Sequence, residues 1–317
     1  MKDHAVETAN AGKFQNPAVT ADGQTRASVA LTRPETLWFN TGTLCNITCL
    51  NCYIDSSPTN DALVYMTADE VSDYLAQLKA RNWPVHEIGL TGGEPFMNPE
   101  IIEITRRALV AGYAVLILTN AMLPMMRPTM RAGIAELNAA FPGKLTLRIS
   151  LDHWDEPRHD AERGQGSFAK TLKGMDFLRD TGVPMAVAGR ALWHESDAAA
   201  RTGYRHLFQS RCYDIDADNP GQCVLFPEMD MTAEVPEITT ACWDILNKSP
   251  NDVMCASSRM VVKRKGSQSP TVLACTLLAY EPEFELGTTL AEAERDVALN
   301  HPHCAKFCVL GGASCSA

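Results

Sequence analysis

The chain has 317 residues, of which 45% are hydrophobic and 21% are charged. This composition is typical of a globular protein and excludes a disordered, collagenous or low-complexity chain. The 38 acidic residues outnumber the 28 basic ones, and the formal net charge of −10 argues against nucleic acid as a partner. No window approaches the ~18 consecutive apolar residues of a membrane span, and the first residues lack the apolar core of a signal peptide. We therefore expect a cytoplasmic protein without membrane contact.

Short apolar runs alternate with amphipathic stretches from residue 35 to residue 230, which predicts βα units and a parallel sheet. Right-handed crossovers curl six such units into an α/β fold, a partial (β/α)6 TIM-like barrel. The predicted strands are 37–42, 86–92, 113–119, 144–150, 184–193 and 222–228.

Three helices carry recognisable start signals or faces. Thr67 and Glu70 form a capping-box pattern ahead of an apolar face. Asn98-Pro99 predicts a second helix start, and 167–179 carries apolar residues on one face.

Three domains are predicted from these patterns. Residues 1–34 are polar and aperiodic, which indicates a flexible N-terminal arm, and 35–230 form the barrel. From 231 to 317 the element signals shorten and cysteines become frequent, which predicts a small cysteine-rich C-terminal domain.

The eleven cysteines are unevenly placed. Without an export signal we expect them to be mostly reduced, which favours metal ligation or catalysis over disulfides. Cys212, Cys223 and Cys242 are scattered and are interpreted as buried apolar residues.

Cys45, Cys49 and Cys52 follow the first predicted strand on one loop. Three thiolates at this spacing can reach three corners of an iron–sulfur cube and leave one iron open for chemistry. Zinc is the alternative, and it would need a fourth ligand such as His86 or a distant cysteine.

The Cys-x3-Cys-x2-Cys triplet, followed by the aromatic Tyr53, resembles that of the radical S-adenosylmethionine (radical SAM) superfamily. Thr91-Gly92-Gly93-Glu94-Pro95 after the second strand is similar to the family's GGE motif. The resemblance implies a 4Fe-4S cluster bound with S-adenosylmethionine, whose amine Glu94 would meet. It implies further cofactor contacts at strand ends, which are Asn120, Ser150, Asp152 and Arg190.

The C-terminal cysteines resemble those of the SPASM or twitch extensions that bind auxiliary 4Fe-4S clusters. The resemblance implies one auxiliary cluster on Cys255, Cys275, Cys304 and Cys308. Cys315 is expected to replace one of these ligands or to join a second cluster with Cys212, Cys223 or Cys242. Structural zinc with His301 or His303 is the main alternative.

The family resemblance implies cleavage of S-adenosylmethionine to a 5′-deoxyadenosyl radical, which abstracts hydrogen from a peptide or small-molecule substrate. A net oxidation or C–H modification assisted by the auxiliary cluster is expected, with flavodoxin or ferredoxin as a reducing partner. The short N-terminal arm argues against a fused peptide-recognition domain, though a separate recognition protein would restore a peptide substrate. His153, His194 and Glu228 are weak candidates for a general base.

Two other functions fit the same residues. One is a non-catalytic iron–sulfur electron carrier or redox sensor, which would bind a cluster without cleaving S-adenosylmethionine. The other is a zinc-held binding module on a barrel scaffold, which metal content distinguishes.

Overall fold

The computed structural model describes residues 10, 12–228 and 233–312. Cys315, a predicted cluster ligand, lies outside the described residues. The strands are β1 (Ser28–Val29), β2 (Thr36–Asn40), β3 (Glu87–Thr91), β4 (Ala114–Thr119), β5 (Leu145–Ser150), β6 (Met185–Ala191), β7 (Cys223–Pro227), β8 (Ser258–Val262), β9 (Thr271–Leu273), β10 (Glu285–Gly287) and β11 (Val297–Ala298). The α-helices are α1 (Ala68–Arg81), α2 (Ile101–Val110), α3 (Pro128–Ala140), α4 (Glu156–Arg163), α5 (Ser167–Asp180), α6 (Asp197–Arg211) and α7 (Cys242–Leu246).

The main sheet is open and has the strand order β10-β9-β8-β2-β3-β4-β5-β6-β7. Strands β2 to β7 run parallel to one another, with helices in the connections. Strand β2 is buried at all five positions, as expected for a parallel strand covered on both faces. The predicted α/β fold is confirmed, and all six predicted strands are present within two residues at each end.

Two of the predicted helices begin as the sequence indicates. Thr67 and Glu70 form the full capping box of α1, and α5 starts at Ser167. The prediction for Asn98-Pro99 is wrong, because α2 starts at Ile101. A 3₁₀ turn over Pro95–Met97 uses Asn98 as its C-terminal cap, and the Asn98 side chain donates to Met66 O at 2.8 Å, which ties this turn to the start of α1.

The C-terminal segment extends the barrel sheet. Strand β8 pairs in parallel with β2, so that Thr36 lies opposite Ser258, and β9 and β10 continue the sheet with antiparallel pairing. One hydrophobic core runs through both segments. The domain boundary near residue 230 stays a prediction.

The described part of the N-terminal arm packs against the C-terminal segment. Strand β1 pairs with β11. Arg26 is buried, and its Nη2 pairs with Glu237 Oε1 at 2.5 Å. Residues 12–34 therefore make specific tertiary contacts instead of extending freely from the fold.

No helix among the described residues is long and apolar enough to cross a membrane.

Candidate functional site

The parallel register brings the carboxyl ends of the strands to one edge of the sheet. Asn40 lies opposite Thr91, Ser150 opposite Ala188, and Arg190 opposite Phe226. A cavity opens at this edge, where active sites of βα barrels are found. It is lined by all three clustered cysteines and by most predicted cofactor residues, namely Cys45, Cys49, Cys52, Tyr53, Gly92, Gly93, Asn120, Ser150, Asp152 and Arg190.

The cysteine loop leaves the end of β2 and is held by its own backbone. Cys45 N donates to Ser57 O at 3.0 Å, and Ser56 N donates to Cys52 Sγ at 3.4 Å. Burial raises the pKa of Cys45 to about 12, and burial also raises the pKa of Cys49. The neighbouring cysteines raise the pKa of Cys45 further, so Cys45 and Cys49 stay protonated until a metal centre stabilises their thiolates.

The glycine pair after β3 packs against this loop. A Cβ on Gly93 would lie 2.3 Å from Leu44 O, and one on Gly92 would lie 2.4 Å from Gly42 O. Gly93 N donates to Gly42 O at 2.8 Å. The absence of a side chain at both positions thus lets the motif hold the cysteine loop by backbone contact, while both glycines also face the cavity.

Glu94 lies behind the cavity wall and is 1% exposed. Its carboxylate accepts hydrogen bonds from Phe96 N, from Thr119 Oγ1 at 2.8 Å and from Asn120 N at 2.9 Å. Burial raises its pKa to about 7 despite these donors. Through these hydrogen bonds Glu94 connects the glycine motif to the end of β4. Its predicted contact with an amine stays a prediction.

Arg163 adds a cation that was not among the predicted site residues. From the end of α4 it pairs with Asp152, with Nε–Oδ2 at 2.8 Å and Nη2–Oδ1 at 2.9 Å. Burial lowers the pKa of Arg163, but Asp152 and the Cys49 thiol raise it by more, so the guanidinium stays charged. Its position beside a cysteine of the triplet depends on tertiary packing, which no local motif indicates.

Two buried polar atoms at the cavity have no hydrogen-bond partner among the described residues. They are Ser56 Oγ and Arg190 Nε. The other end of the Arg190 guanidinium is occupied, because Nη1 donates to Asn51 O at 2.7 Å. A buried, charged donor without a partner suits a ligand carboxylate, so the residues present fit an amino-acid-bearing cofactor.

The three weak candidates for a general base do not line the cavity. His153 is 1% exposed, and its Nε2 lies 2.5 Å from Glu195 Oε1. His194 and Glu228 are exposed.

A second, apolar cavity lies in the C-terminal segment. It is lined by His303 and by the four predicted auxiliary ligands, which are Cys255, Cys275, Cys304 and Cys308. All four cysteines are buried. Burial raises the pKa of Cys304, and the neighbouring Cys255 and Cys275 raise it further, so these thiols face one another.

The two cavities share one residue. Leu277 lines both of them, and its backbone N–H donates to Cys275 Sγ at 3.3 Å. Phe307, from the π-helical turn Cys304–Leu310, also lines the first cavity. The C-terminal segment thus forms a wall of the strand-end cavity.

Cys212, Cys223 and Cys242 lie outside both cavities. Cys223 is fully buried at the start of β7, which confirms the prediction of an apolar residue there. Cys242 is half-buried. For Cys212 the prediction is wrong, because this residue is exposed as the left-handed cap of α6.

Zinc has no converging ligand set in the described part of the chain, where no three His, Cys, Asp or Glu side chains approach closely enough to share one ion. His86 precedes the amino end of β3, whereas the cysteine triplet lies at the carboxyl edge of the sheet. A 4Fe-4S cube binds each thiolate to a different iron, so its ligands surround a volume instead of one point.

Residues 39–195, about half of the chain, match the family model described as "Radical SAM superfamily". This part of the chain is a radical SAM domain. The match contains the cysteine triplet, the glycine motif and Arg190.

Curated relatives align with about half of the chain. The antilisterial bacteriocin subtilosin biosynthesis protein AlbA of Bacillus subtilis is 33% identical over 162 residues, which are 50% of this chain and 34% of AlbA. The AdoMet-dependent heme synthase of Methanosarcina barkeri is 31% identical over 45% of this chain and 38% of the synthase. The mycofactocin maturase MftC of Mycobacterium ulcerans is 25% identical over 44% of this chain and 34% of the maturase. The matched region therefore spans little more than a third of the length of these relatives.

Solved structures share the fold over more of the chain. Streptococcus suis SuiB bound to S-adenosylmethionine gives a TM-score of 0.57 at 13% identity over 81% of this chain and 63% of SuiB. The structure of anSMEcpe with bound AdoMet gives a TM-score of 0.55 at 14% identity over 82% of this chain and 77% of that one. SuiB has also been solved with its precursor peptide SuiA, and anSMEcpe with the Kp18Cys peptide.

Proposed function

We propose that the chain is a radical SAM enzyme that holds a 4Fe-4S cluster on Cys45, Cys49 and Cys52, with S-adenosylmethionine in the strand-end cavity. The observation that carries this proposal is the convergence of the cysteine triplet, the glycine pair and the unpartnered Arg190 Nε on one cavity. When bound, the cluster and S-adenosylmethionine supply a 5′-deoxyadenosyl radical that abstracts a hydrogen atom.

The residues of the chain bind and orient the cofactor. Arg190 donates through Nε to the carboxylate of S-adenosylmethionine, and Ser56 Oγ offers a second polar contact. Arg163 offsets the negative charge of the cluster from beside Cys49. Leu118, Phe226 and Phe307 give the cavity an apolar wall that excludes water from a reactive radical.

An auxiliary 4Fe-4S cluster on Cys255, Cys275, Cys304 and Cys308 is the second part of the proposal. These four buried cysteines line a cavity that shares the lining residue Leu277 with the cofactor site. Structural zinc that includes His303 is the competing assignment. Burial lowers the pKa of His303 to about 4, so its ring is neutral and able to bind either metal.

We further propose a peptide substrate and a net oxidation or C–H modification. Support comes from relatives named for bacteriocin biosynthesis and mycofactocin maturation, and from two structural neighbours solved with peptides. Flavodoxin or ferredoxin would supply electrons in the cytoplasm, where thiols remain reduced.

Metal analysis of cysteine variants tests the cluster assignment. After reconstitution without oxygen, we expect about eight irons per chain in the wild type and no zinc. Replacing Cys45, Cys49 and Cys52 by Ala, or Cys255, Cys275, Cys304 and Cys308 by Ala, should remove about four irons each. Cys242→Ala, outside both cavities, is the matched control and should keep full iron content. Iron unchanged by the triple substitution would overturn the radical SAM site, and four irons with one zinc would overturn the auxiliary cluster.

A further inference from the structure

Arg259 is a fully buried cation in strand β8, with 1% of its surface exposed. Its guanidinium is held by backbone carbonyls. Nη1 donates to Cys255 O at 2.6 Å and to Ser258 O at 2.9 Å, and Nε donates to Ala293 O at 2.9 Å. The carbonyl contacts fix the group in place without neutralising its charge.

No carboxylate pairs with Arg259 among the described residues. Two other arginines with little exposure have such a partner, Arg26 in Glu237 and Arg163 in Asp152. Nη1 instead meets the backbone carbonyl of Cys255, one of the four cysteines that line the C-terminal cavity. An uncompensated buried charge is strongly destabilising, so this position indicates a negative partner close to Cys255.

We propose that Arg259 is the counter-charge of the auxiliary cluster, and that it raises the reduction potential of that cluster. The inference rests on the proposed cluster at Cys255, Cys275, Cys304 and Cys308. A 4Fe-4S cube with four thiolates is an anion and gains a further negative charge on reduction, and net charge and burial set its potential. A fixed cation held against the backbone of Cys255, one of its ligands, therefore favours the reduced form. Arg259 acts through the cluster and is a positioning residue, not a catalytic one.

The test is a redox titration followed by electron paramagnetic resonance. It uses the full chain with Cys45, Cys49 and Cys52 replaced by Ala, so that only the auxiliary cluster contributes to the signal. In Arg259→Met we expect the ratio of reduced to oxidised cluster at fixed potential to fall about tenfold, which corresponds to about 59 mV for one electron. Arg259→Lys keeps the charge, so its ratio of reduced to oxidised cluster should stay within about twofold of the ratio in the parent.

A matched control is Arg201→Met. Arg201 also donates to the backbone carbonyl of a cysteine, since Nη1 lies 3.2 Å from Cys223 O, but it is paired with Asp197. We expect no shift in this variant. If Arg259→Met does not fold, Arg259→Gln, which keeps a donor for the carbonyls, replaces it with the same expected shift.

Equal potentials in the Lys variant and the neutral variant would overturn the inference and leave Arg259 a structural residue. A parent protein that carries no iron at the auxiliary site would instead overturn the proposed cluster itself. Iron content and potential thus separate the two failures.

Discussion

Gly93 shows how a single missing side chain positions the first cysteine cluster. Its Cα lies so close to the loop that a Cβ would meet Leu44 O at 2.3 Å, and this atom belongs to backbone that cannot rotate away. The sequence predicts the glycine pair as part of a cofactor-binding motif, in which glycine lets a ligand approach the backbone closely. The structure adds that the closest approach is made by the protein's own cysteine loop.

We predict that Gly93→Ala displaces the loop that carries Cys45 and removes most of the iron of the first site. The iron of the second site should be unaffected, because its ligands lie in another segment. Iron analysis and visible absorption measure both effects. Gly182→Ala is the control for backbone strain outside the site, since Gly182 has a φ of +66° but its Cβ would meet no atom within 4 Å. Full iron content in Gly93→Ala would contradict this role.

Glu94 gives a prediction about pH. Folding raises its pKa from 4.5 to about 7 because the carboxyl group is buried. The folded chain therefore retains a proton that the unfolded chain has lost, and stability falls as pH rises from about 4.5 to about 7. Glu94→Gln removes this dependence of stability on pH. The amide N–H of Gln would also face a backbone N–H donor, and this unfavourable contact costs about 1–3 kcal/mol.

Denaturant unfolding of the metal-free chain at pH 5 and pH 8 measures this effect. The difference between wild type and Glu94→Gln should be larger at pH 5. A difference that is independent of pH would show that Glu94 is ionised across the range.

Among the elements, strands were predicted better than their connections. A short apolar run such as 113–119 between turn signals is typical of a buried parallel strand, and β4 lies there. The start of α2 was misplaced, because a 3₁₀ turn competes for Asn98. Strand β8 was missed as part of the barrel sheet, because its pairing with β2 joins residues more than 200 positions apart.

The candidate site divides in the same way. Cysteine spacing and the glycine motif are local signals, and the residues they indicate line one cavity, while their cofactor roles stay predictions. Arg163 and Leu277 reach that cavity only through the packing of α4 and of the C-terminal segment. A charged residue at a helix end has the same local sequence pattern whether its side chain enters a binding site or faces solvent.

The pair between α4 and β5 provides a prediction at the level of elements. Asp152 is 2% exposed, so Arg163→Met leaves a buried carboxylate without its cation, which costs about 3–5 kcal/mol. The double variant with Asp152→Asn should recover part of this loss, because no buried charge remains. Thermal and denaturant unfolding measure the coupling. Arg158→Met on the same helix removes a more exposed cation and should cost less than about 1 kcal/mol. Additive effects of the two pair substitutions would contradict a coupled ion pair.

Across the whole molecule, residues far apart in the chain are joined by Arg26 and Glu237. Glu237 also accepts from Phe14 N and Ala21 N at 2.6 Å, so one buried carboxylate organises the N-terminal segment. Arg26→Met should destabilise the chain by about 3–5 kcal/mol. Lys13→Met removes the neighbouring exposed pair with Glu234 and should cost less than about 1 kcal/mol. Equal losses of unfolding free energy in Arg26→Met and Lys13→Met would contradict this role for Arg26.

The proposed cleavage of S-adenosylmethionine at the triplet cluster is tested by quantifying 5′-deoxyadenosine. Reconstituted protein is incubated with dithionite and S-adenosylmethionine without oxygen, and the product is quantified by liquid chromatography. The wild type and Cys242→Ala should form 5′-deoxyadenosine, whereas the variant with Cys45, Cys49 and Cys52 replaced by Ala should form none. Product formation that survives the triple substitution, or its absence from fully iron-loaded wild type, would contradict the account, and the second result would indicate an electron carrier or redox sensor.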